Sequence, residues 1–367
     1  MKRGMSIINV MWSGDSPYAS VHKVHRQVLS QAPSGAPVKT WLLQHEAPAC
    51  LSELGGVEAW NLSSRFLKGR GIWVFSRPLR NRFFRNALLE NDAQVVLLDG
   101  LGVARVLLPA LRGLPQVRAV VIFHGSTRLQ CKDLCLFRKL SPEQLTLCAV
   151  SQTLADAIAA DVKLPVLTLS SMLDPQKSQQ QLLSREQARQ QLGLPVQSQQ
   201  VFGAVGRLVD SKGFDTLLKA FAQNLKTHPD GLLMIIGEGP RRSSLESQIN
   251  ALGLQGKVLL PGHVNNVASL YRAFDWVLIP SQAEGLGLVV QEAVIAGVPV
   301  LASDLPVFYE QLGDGGSYVP VNDVSAWAKA IDACSSLAAA DVAARQYAGL
   351  DPEHAWLRFK QACSGVF

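Results

Sequence analysis

What most restricts this chain is an alternation: short apolar runs and longer amphipathic stretches follow one another along most of its length. A short apolar run bounded by turn residues suits a strand covered on both faces, and an amphipathic stretch suits a helix lying on that sheet. Repeated in this order, they call for parallel strands joined by helical crossovers. In the first half, strands are predicted at 6–11, 38–43, 71–75, 94–98, 117–123, 145–150 and 166–169. Helices are predicted at 20–31 and 151–161, the second opened by Ser151 as N-cap.

A polar, Gln-rich stretch at 174–200 interrupts the pattern, around a helical segment at 185–192. A second alternation follows, with strands predicted at 201–205, 232–236, 258–260, 276–279, 298–302 and 316–319. The helices between them are predicted at 214–225, 241–252, 265–274, 287–296, 304–312 and 324–334. A length of 367 residues accommodates two cores. The expected organisation is therefore a first domain at 1–173, a linker at 174–200, a second domain at 201–350 and a terminal segment at 351–367. Both domains are expected to be doubly wound and Rossmann-like, facing each other across a cleft, with ligands beyond the carboxyl ends of the strands.

Apolar residues at 48% against 17% charged exclude a disordered chain. No stretch approaches the roughly 18 apolar residues that span a bilayer. The apolar start ends at Trp12-Ser13-Gly14-Asp15, too soon for a secretory segment, so a first strand and a cytoplasmic location are expected. The cysteines (Cys50, Cys131, Cys135, Cys148, Cys334, Cys363) are scattered and read as reduced structural thiols. Cys131 and Cys135 share a helix face, but no second pair at metal-ligand spacing accompanies them.

Motifs concentrate between 203 and 320. Gly206-Arg207 ends a strand and Lys212-Gly213 precedes a helix; two cations beside glycines suit a diphosphate, as they would suit a solvated loop. Gly237-Glu238-Gly239 closes another strand without completing a dinucleotide fingerprint. In the segment from Pro280 to Pro299, Glu284 stands just before a glycine-rich helix start and Glu292 lies eight residues on, a little over two helical turns. The helix-start amides of Gly285, Leu286, Gly287 and Leu288 form an anion site, and carboxylates accept well from sugar hydroxyls.

Glu284-Gly-x-Gly-(x4)-Glu292-Ala, with Arg207 and Lys212-Gly213 upstream, resembles the two-glutamate motif of family 4 of the retaining glycosyltransferases, which have the GT-B fold. The resemblance implies that Arg207 and Lys212 neutralise the diphosphate of a nucleotide-sugar donor, UDP- or GDP-linked. It implies that Glu284 holds hydroxyls of the transferred sugar and Glu292 those of the ribose. Gly262-His263-Val264 matches the stretch that frames the nucleobase, although His263 also reads as a plain loop histidine. His124, at the end of a predicted strand, matches a histidine near the sugar's reactive face, and also reads as a structural residue. The terminal stretch from Pro352 is similar to the helix that crosses back onto the first domain in this fold.

Two departures touch the acceptor side and the donor sugar. The Gly-Gly loop of the family reads Trp12-Ser13-Gly14-Asp15-Ser16-Pro17 here, and its Asn-Gly-hydrophobic-Asp reads Ser171-Met172-Leu173-Asp174. No Asp-x-Asp motif stands where a metal-dependent transferase carries one, so no metal and no cofactor are expected.

Residues 1–165 carry 20 basic and 11 acidic side chains, the remainder 15 and 18, so the first half is the one that meets an anion. Seven cations and no acid lie between Arg65 and Arg85, interleaved with Phe66, Trp73, Phe75, Phe83 and Phe84. That mixture suits an anionic membrane surface or a phosphorylated glycolipid, as it would a solvated basic face over core aromatics. No nucleic-acid motif accompanies it. The expected acceptor is a lipid-linked or lipopolysaccharide-core glycan at the inner face of the cytoplasmic membrane. A non-catalytic glycan- or lipid-binding subunit, or a nucleotide-sugar epimerase, are the alternatives on the same fold.

Overall fold

A computed structural model describes residues 5–13, 19–45, 55–68, 75–196 and 200–367. The chain divides into two compact units, Met1–Ser171 with Arg358–Phe367, and Met172–Leu357.

The first unit holds a seven-stranded parallel sheet: β1 (Ile7–Ser13), β2 (Val38–Gln44), β3 (Gly56–Ala59), β4 (Val95–Asp99), β5 (Arg118–Phe123), β6 (Leu145–Ala149) and β7 (Leu167–Thr168). Its order is β3-β2-β1-β4-β5-β6-β7, so the winding reverses between β1 and β4. The central strands are buried on both faces, which is why they read as continuous apolar runs. Strand β3 was not expected: it lies at the sheet edge, is mostly exposed and carries no apolar signal. Of the expected strand 71–75, residues 71–74 lie outside the described residues. Phe75 stands in a turn before the helix Arg77–Glu90, which corrects that expectation at its described end. In that helix the buried stripe is Arg80, Phe84 and Leu88, and an arginine within the stripe hides the helical period. Ser151 caps the helix Gln152–Val162 as expected, its hydroxyl accepting from Leu154 N at 3.2 Å.

The second unit holds β8 (Val201–Val205), β9 (Leu232–Ile236), β10 (Val258–Gly262), β11 (Trp276–Ile279), β12 (Val300–Ser303) and β13 (Tyr318–Val319). All pairings are parallel in the order β10-β9-β8-β11-β12-β13. This is again a doubly wound sheet, with its switch point between β8 and β11. Phe202, Phe221, Trp276 and Trp327 anchor the core on one side of it. The expected helix at 265–274 is a 3-10 helix, Val267–Ala273, entered through Asn266 in a left-handed conformation.

The Gln-rich segment packs into this unit. Arg189 is 1% exposed and donates to Asp275 Oδ2 and Ala273 O at 2.9 Å and to Pro195 O at 3.0 Å. From Arg358 onward the last helix, Pro352–Ser364, belongs to the first unit, where Phe359, Cys363 and Val366 are buried. Of the described cysteines, Cys148, Cys334 and Cys363 are buried thiols, while Cys131 and Cys135 are exposed; all are free. Among the described residues no helix is long and apolar enough to cross a membrane.

Candidate functional site

In the second unit, the expected site residues gather at the carboxyl ends of β10, β9, β8 and β11, around the switch point. Gly206 N donates to Ile236 O at 3.0 Å, and Gly237 N to Gly262 O at 2.9 Å, so the three strand-end glycines lie in adjoining backbone. Arg207 follows Gly206 and is exposed, with no ion pair among the described residues. A short 3-10 turn, Asp210–Lys212, brings the chain back so that Lys212 Nζ pairs with Glu284 Oε1 from the loop after β11. Ser281 is buried and donates to that same oxygen at 2.8 Å. The loops after β8 and β11 are also joined through backbone, Gln282 N donating to Ser211 O at 2.8 Å.

Two glycines make this proximity possible. Gly213 adopts φ +68°, and a Cβ there would lie 2.0 Å from Pro280 O. Gly287 adopts φ +80°, and its Cβ would lie 2.5 Å from Phe308 Cε1. Only glycine takes such a backbone at that separation. The helix Leu288–Ile295 starts directly after Gly287, and its first amides have no partner within the helix. Gln311 Nε2 holds the loop from behind by donating to Leu286 O. Leu286 and Leu288 are buried, so at these positions the backbone amides, rather than the side chains, are the groups suited to an anion.

Glu292 lies within that helix at 7% exposure. Tyr271, fully buried, donates its hydroxyl to Glu292 Oε2 at 2.7 Å. Burial raises the Tyr271 phenol well above its ordinary range, and the Glu292 charge adds to this, so it stays a donor. Sequence reasoning missed Tyr271 and gave Ser281 no role; both hold a carboxylate that it did identify. His263 is exposed and Val264 half-buried, following Gly262 at the end of β10.

In the first unit, His124 follows β5 and is mostly buried. Asn9 Nδ2 donates to Thr40 Oγ1 at 3.2 Å, which turns Asn9 Oδ1 toward His25 Nδ1 at 2.6 Å. His25 Nδ1 therefore carries the proton, and its Nε2 accepts from His124 Nε2 at 3.1 Å. Asp99 Oδ1 lies 3.7 Å from His124 Nε2, and Asp99 Oδ2 accepts from Trp12 N at 3.3 Å across the switch point of this sheet. Burial lowers His124 to about 3 and raises Asp99 to about 6, and it holds His25 well below the imidazole range. His25, Asp99 and His124 are close enough to share a metal ion. The Nε2 separation between the two imidazoles is that of an N–H···N hydrogen bond. The signal that could have marked Asp99 is its place: a carboxylate at the end of the strand beside the switch point.

Residues 184–348 match the family model for glycosyl transferases group 1, so the second unit carries a domain of that class. Within the class, a D-inositol 3-phosphate glycosyltransferase of Corynebacterium kroppenstedtii is 37% identical over 158 residues, 40% of this chain and 35% of the relative. A 2-deoxystreptamine glucosyltransferase of Streptomyces kanamyceticus is 30% identical over 132 residues, 35% of this chain and 34% of the relative. The chain thus spans about a third of the length of these curated relatives. Over nearly the whole chain the fold is that of the solved structure of HepE from Anabaena in complex with UDP and glucose. The TM-score is 0.80 at 20% identity, covering 98% of each chain. The architecture is GT-B, two Rossmann-like units with parallel sheets.

Proposed function

We propose that the protein is a retaining glycosyltransferase that moves a sugar from a nucleotide-diphosphate sugar to an anionic glycan acceptor. The observation that carries this reading is the Lys212–Glu284 pair at the switch point, beside the exposed Arg207 and the helix start at Gly287. Three sources of positive potential there surround the place where a leaving diphosphate gains charge. Glu284 accepts from Lys212 and Ser281 through Oε1, which leaves Oε2 for a hydroxyl of the sugar. Glu292, aligned by Tyr271, suits the ribose hydroxyls, and the backbone around Gly262, His263 and Val264 suits the base. His124 in the first unit suits a sugar hydroxyl. Substitution on one face of the sugar, with the departing phosphate taking the acceptor proton, needs no metal. Full activity in EDTA supports this; activity lost to chelation and restored by magnesium sinks it.

The donor is a UDP- or GDP-sugar, in keeping with UDP and glucose in the Anabaena structure. The test is a binding and turnover panel of UDP-, GDP- and ADP-sugars on wild type and Glu292→Ala. One nucleotide that stabilises the protein, with slow sugar release lost in the variant, supports the reading. Silence across the panel from folded protein turns it toward a binding subunit.

The acceptor is proposed to be a lipid-linked or lipopolysaccharide-core glycan, met at the inner face of the cytoplasmic membrane. Phe75, Leu79 and Phe83, spaced by four residues, are 85%, 69% and 45% exposed, and Arg82 and Arg85 are exposed alongside. Such a stripe suits the interface of an anionic bilayer. Sedimentation with anionic but not neutral vesicles, lost in Phe75→Ser/Leu79→Ser, is expected; no sedimentation with either removes the membrane from the proposal.

A further inference from the structure

The helix Arg77–Glu90 has a second face. Opposite the exposed stripe, Arg77, Arg80 and Asn81 line a cavity of about 670 Å³ that lies wholly within the first unit. Its other walls come from the helix Gly100–Leu111 and the helix Cys131–Phe137, and Trp12 at the end of β1 also lines it.

Among the described residues the lining is strongly cationic, and the one acid on it is already neutralised. Asp133 takes a bidentate grip from Arg105, Nε to Oδ1 and Nη2 to Oδ2, both at 2.7 Å, and also accepts from Gln130 N. Lys68 lies 5.9 Å from the centre of the Trp12 ring. Arg112, Lys132 and Lys139 stand exposed on the lining. None of Arg77, Arg80, Arg112 and Lys139 has an ion pair among the described residues.

Arg80 is the decisive group. It is 5% exposed, and among the described residues its side chain bonds only through Nη1, to the carbonyls of Leu67, at 2.8 Å, and Phe66, at 3.4 Å. Among the described residues its Nε is buried without a partner. A guanidinium cannot shed its proton, so a buried one without a carboxylate keeps an uncompensated charge. Arg77 sharpens this: burial first and the neighbouring Arg77 charge second both disfavour the Arg80 cation. Asn81 Oδ1, on the same wall, is also buried without a partner among the described residues and supplies an acceptor for a hydroxyl. A large cavity whose described walls hold an orphaned buried donor, a spare acceptor and no free acid is complementary to a phosphate carried on a hydroxylated group.

We infer that this cavity binds a doubly charged phosphoryl group, a phosphomonoester or a diphosphate, with Arg80 as its buried anchor and Arg77, Arg112 and Lys139 around it. As the seat of the acceptor's phosphate it rests on the sugar-transfer reading above; as an anion site it does not. It is distinct from the donor diphosphate site of Arg207 and Lys212, which lies in the other unit.

The experiment is calorimetric titration of the full chain with inorganic pyrophosphate. It is run on wild type, on Arg207→Ala/Lys212→Ala, on Arg80→Gln and on Arg112→Glu/Lys139→Glu. The last pair is exposed and leaves folding intact, which covers the case in which Arg80→Gln unfolds. Expected is saturable, salt-sensitive binding that survives Arg207→Ala/Lys212→Ala and weakens at least tenfold in the cavity variants. Loss in the donor-site variant alone, or no binding at all, overturns the site. Nucleotide-sugar turnover measured alongside reports separately on the transferase reading. Glucose 6-phosphate and vesicles containing phosphatidic acid then distinguish a free sugar phosphate from a lipid headgroup. Capture by vesicles that pyrophosphate does not compete with, and that the cavity variants leave unchanged, also overturns the assignment.

Discussion

Tyr271 and Glu292 are locked together, the phenol donating to Oε2 at 2.7 Å where both side chains are buried. A hydrogen bond to a charged group of this kind contributes about 1.5–3 kcal/mol. The tyrosine sits in the 3-10 helix Val267–Ala273, which follows the loop after β10, and its hydroxyl aims the carboxylate. Tyr271→Phe is expected to lower the melting temperature and to weaken nucleotide-sugar binding several-fold, with a larger rise in KM than fall in kcat. A variant that loses stability but keeps wild-type KM would show the bond to be structural only.

Lys212 is held in place by the carboxylate that it is proposed to work beside. Removing it takes away a cation aimed at the leaving diphosphate and strands Glu284, whose side chain is 12% exposed. Loss of a donor at a site of developing charge costs on the order of 10²–10³-fold in kcat. That loss is expected for Lys212→Ala, with Lys212→Arg recovering part of it. Glu284→Gln keeps the Ser281 bond and is expected to retain nucleoside diphosphate binding while losing discrimination among sugars. Equal turnover of a sugar panel by Glu284→Gln and wild type would remove Glu284 from the sugar contact.

Gly213→Ala tests whether the two loops must touch. A left-handed alanine costs roughly 1–2 kcal/mol before any clash is counted. Here the added Cβ meets the carbonyl of Pro280 at 2.0 Å, and backbone has little room to give way. The loop carrying Lys212 has to move from the loop carrying Glu284. A lower melting temperature and at least tenfold weaker nucleoside diphosphate binding are expected together. Normal binding by Gly213→Ala would mean that the contact between the loops is dispensable.

How much of this was legible in the sequence follows from what each residue must satisfy. Strands β8, β9 and β11 stand at their expected boundaries because buried parallel strands need unbroken apolar runs, and Gly, Pro or polar residues stop them. The glutamates, Arg207 and Lys212 were visible because they are tied to strand ends and a helix start by local spacing. Tyr271 was not, since its bond to Glu292 joins residues 21 apart through packing alone. The basic cavity was half visible. The run from Arg65 to Arg85 showed the charge, but Arg105, Arg112, Lys132 and Lys139 join it only once three helices are assembled. His25 and Asn9 were silent for the same reason: a histidine on an amphipathic helix becomes a partner of His124 only when β1 and β5 are placed in one sheet.

Acid should loosen the first unit through these histidines. Burial holds His124 at about 3, keeps His25 well below 6.5, where the Coulombic effects of His124 and His22 add to it, and lowers His22. On unfolding each would bind a proton near 6.5, so the unfolded chain takes up protons that the folded chain refuses. Their contribution is complete at neutral pH and is lost as pH falls through 6.5 toward 3. Asp99 acts oppositely: folded it keeps its proton up to about 6, unfolded it releases it near 3.8. It therefore favours the folded state at low pH and loses that effect as pH rises from 3.8 through 6. Between those limits three imidazoles oppose one carboxyl, and the imidazoles win. Calorimetric melting from about pH 7 to about pH 5 should show the transition moving to lower temperature. His25→Gln should flatten that dependence, because it deletes one refused proton. A melting temperature indifferent to pH over this range would place the three histidines in contact with water, and a slope unchanged in His25→Gln would remove His25 from the effect.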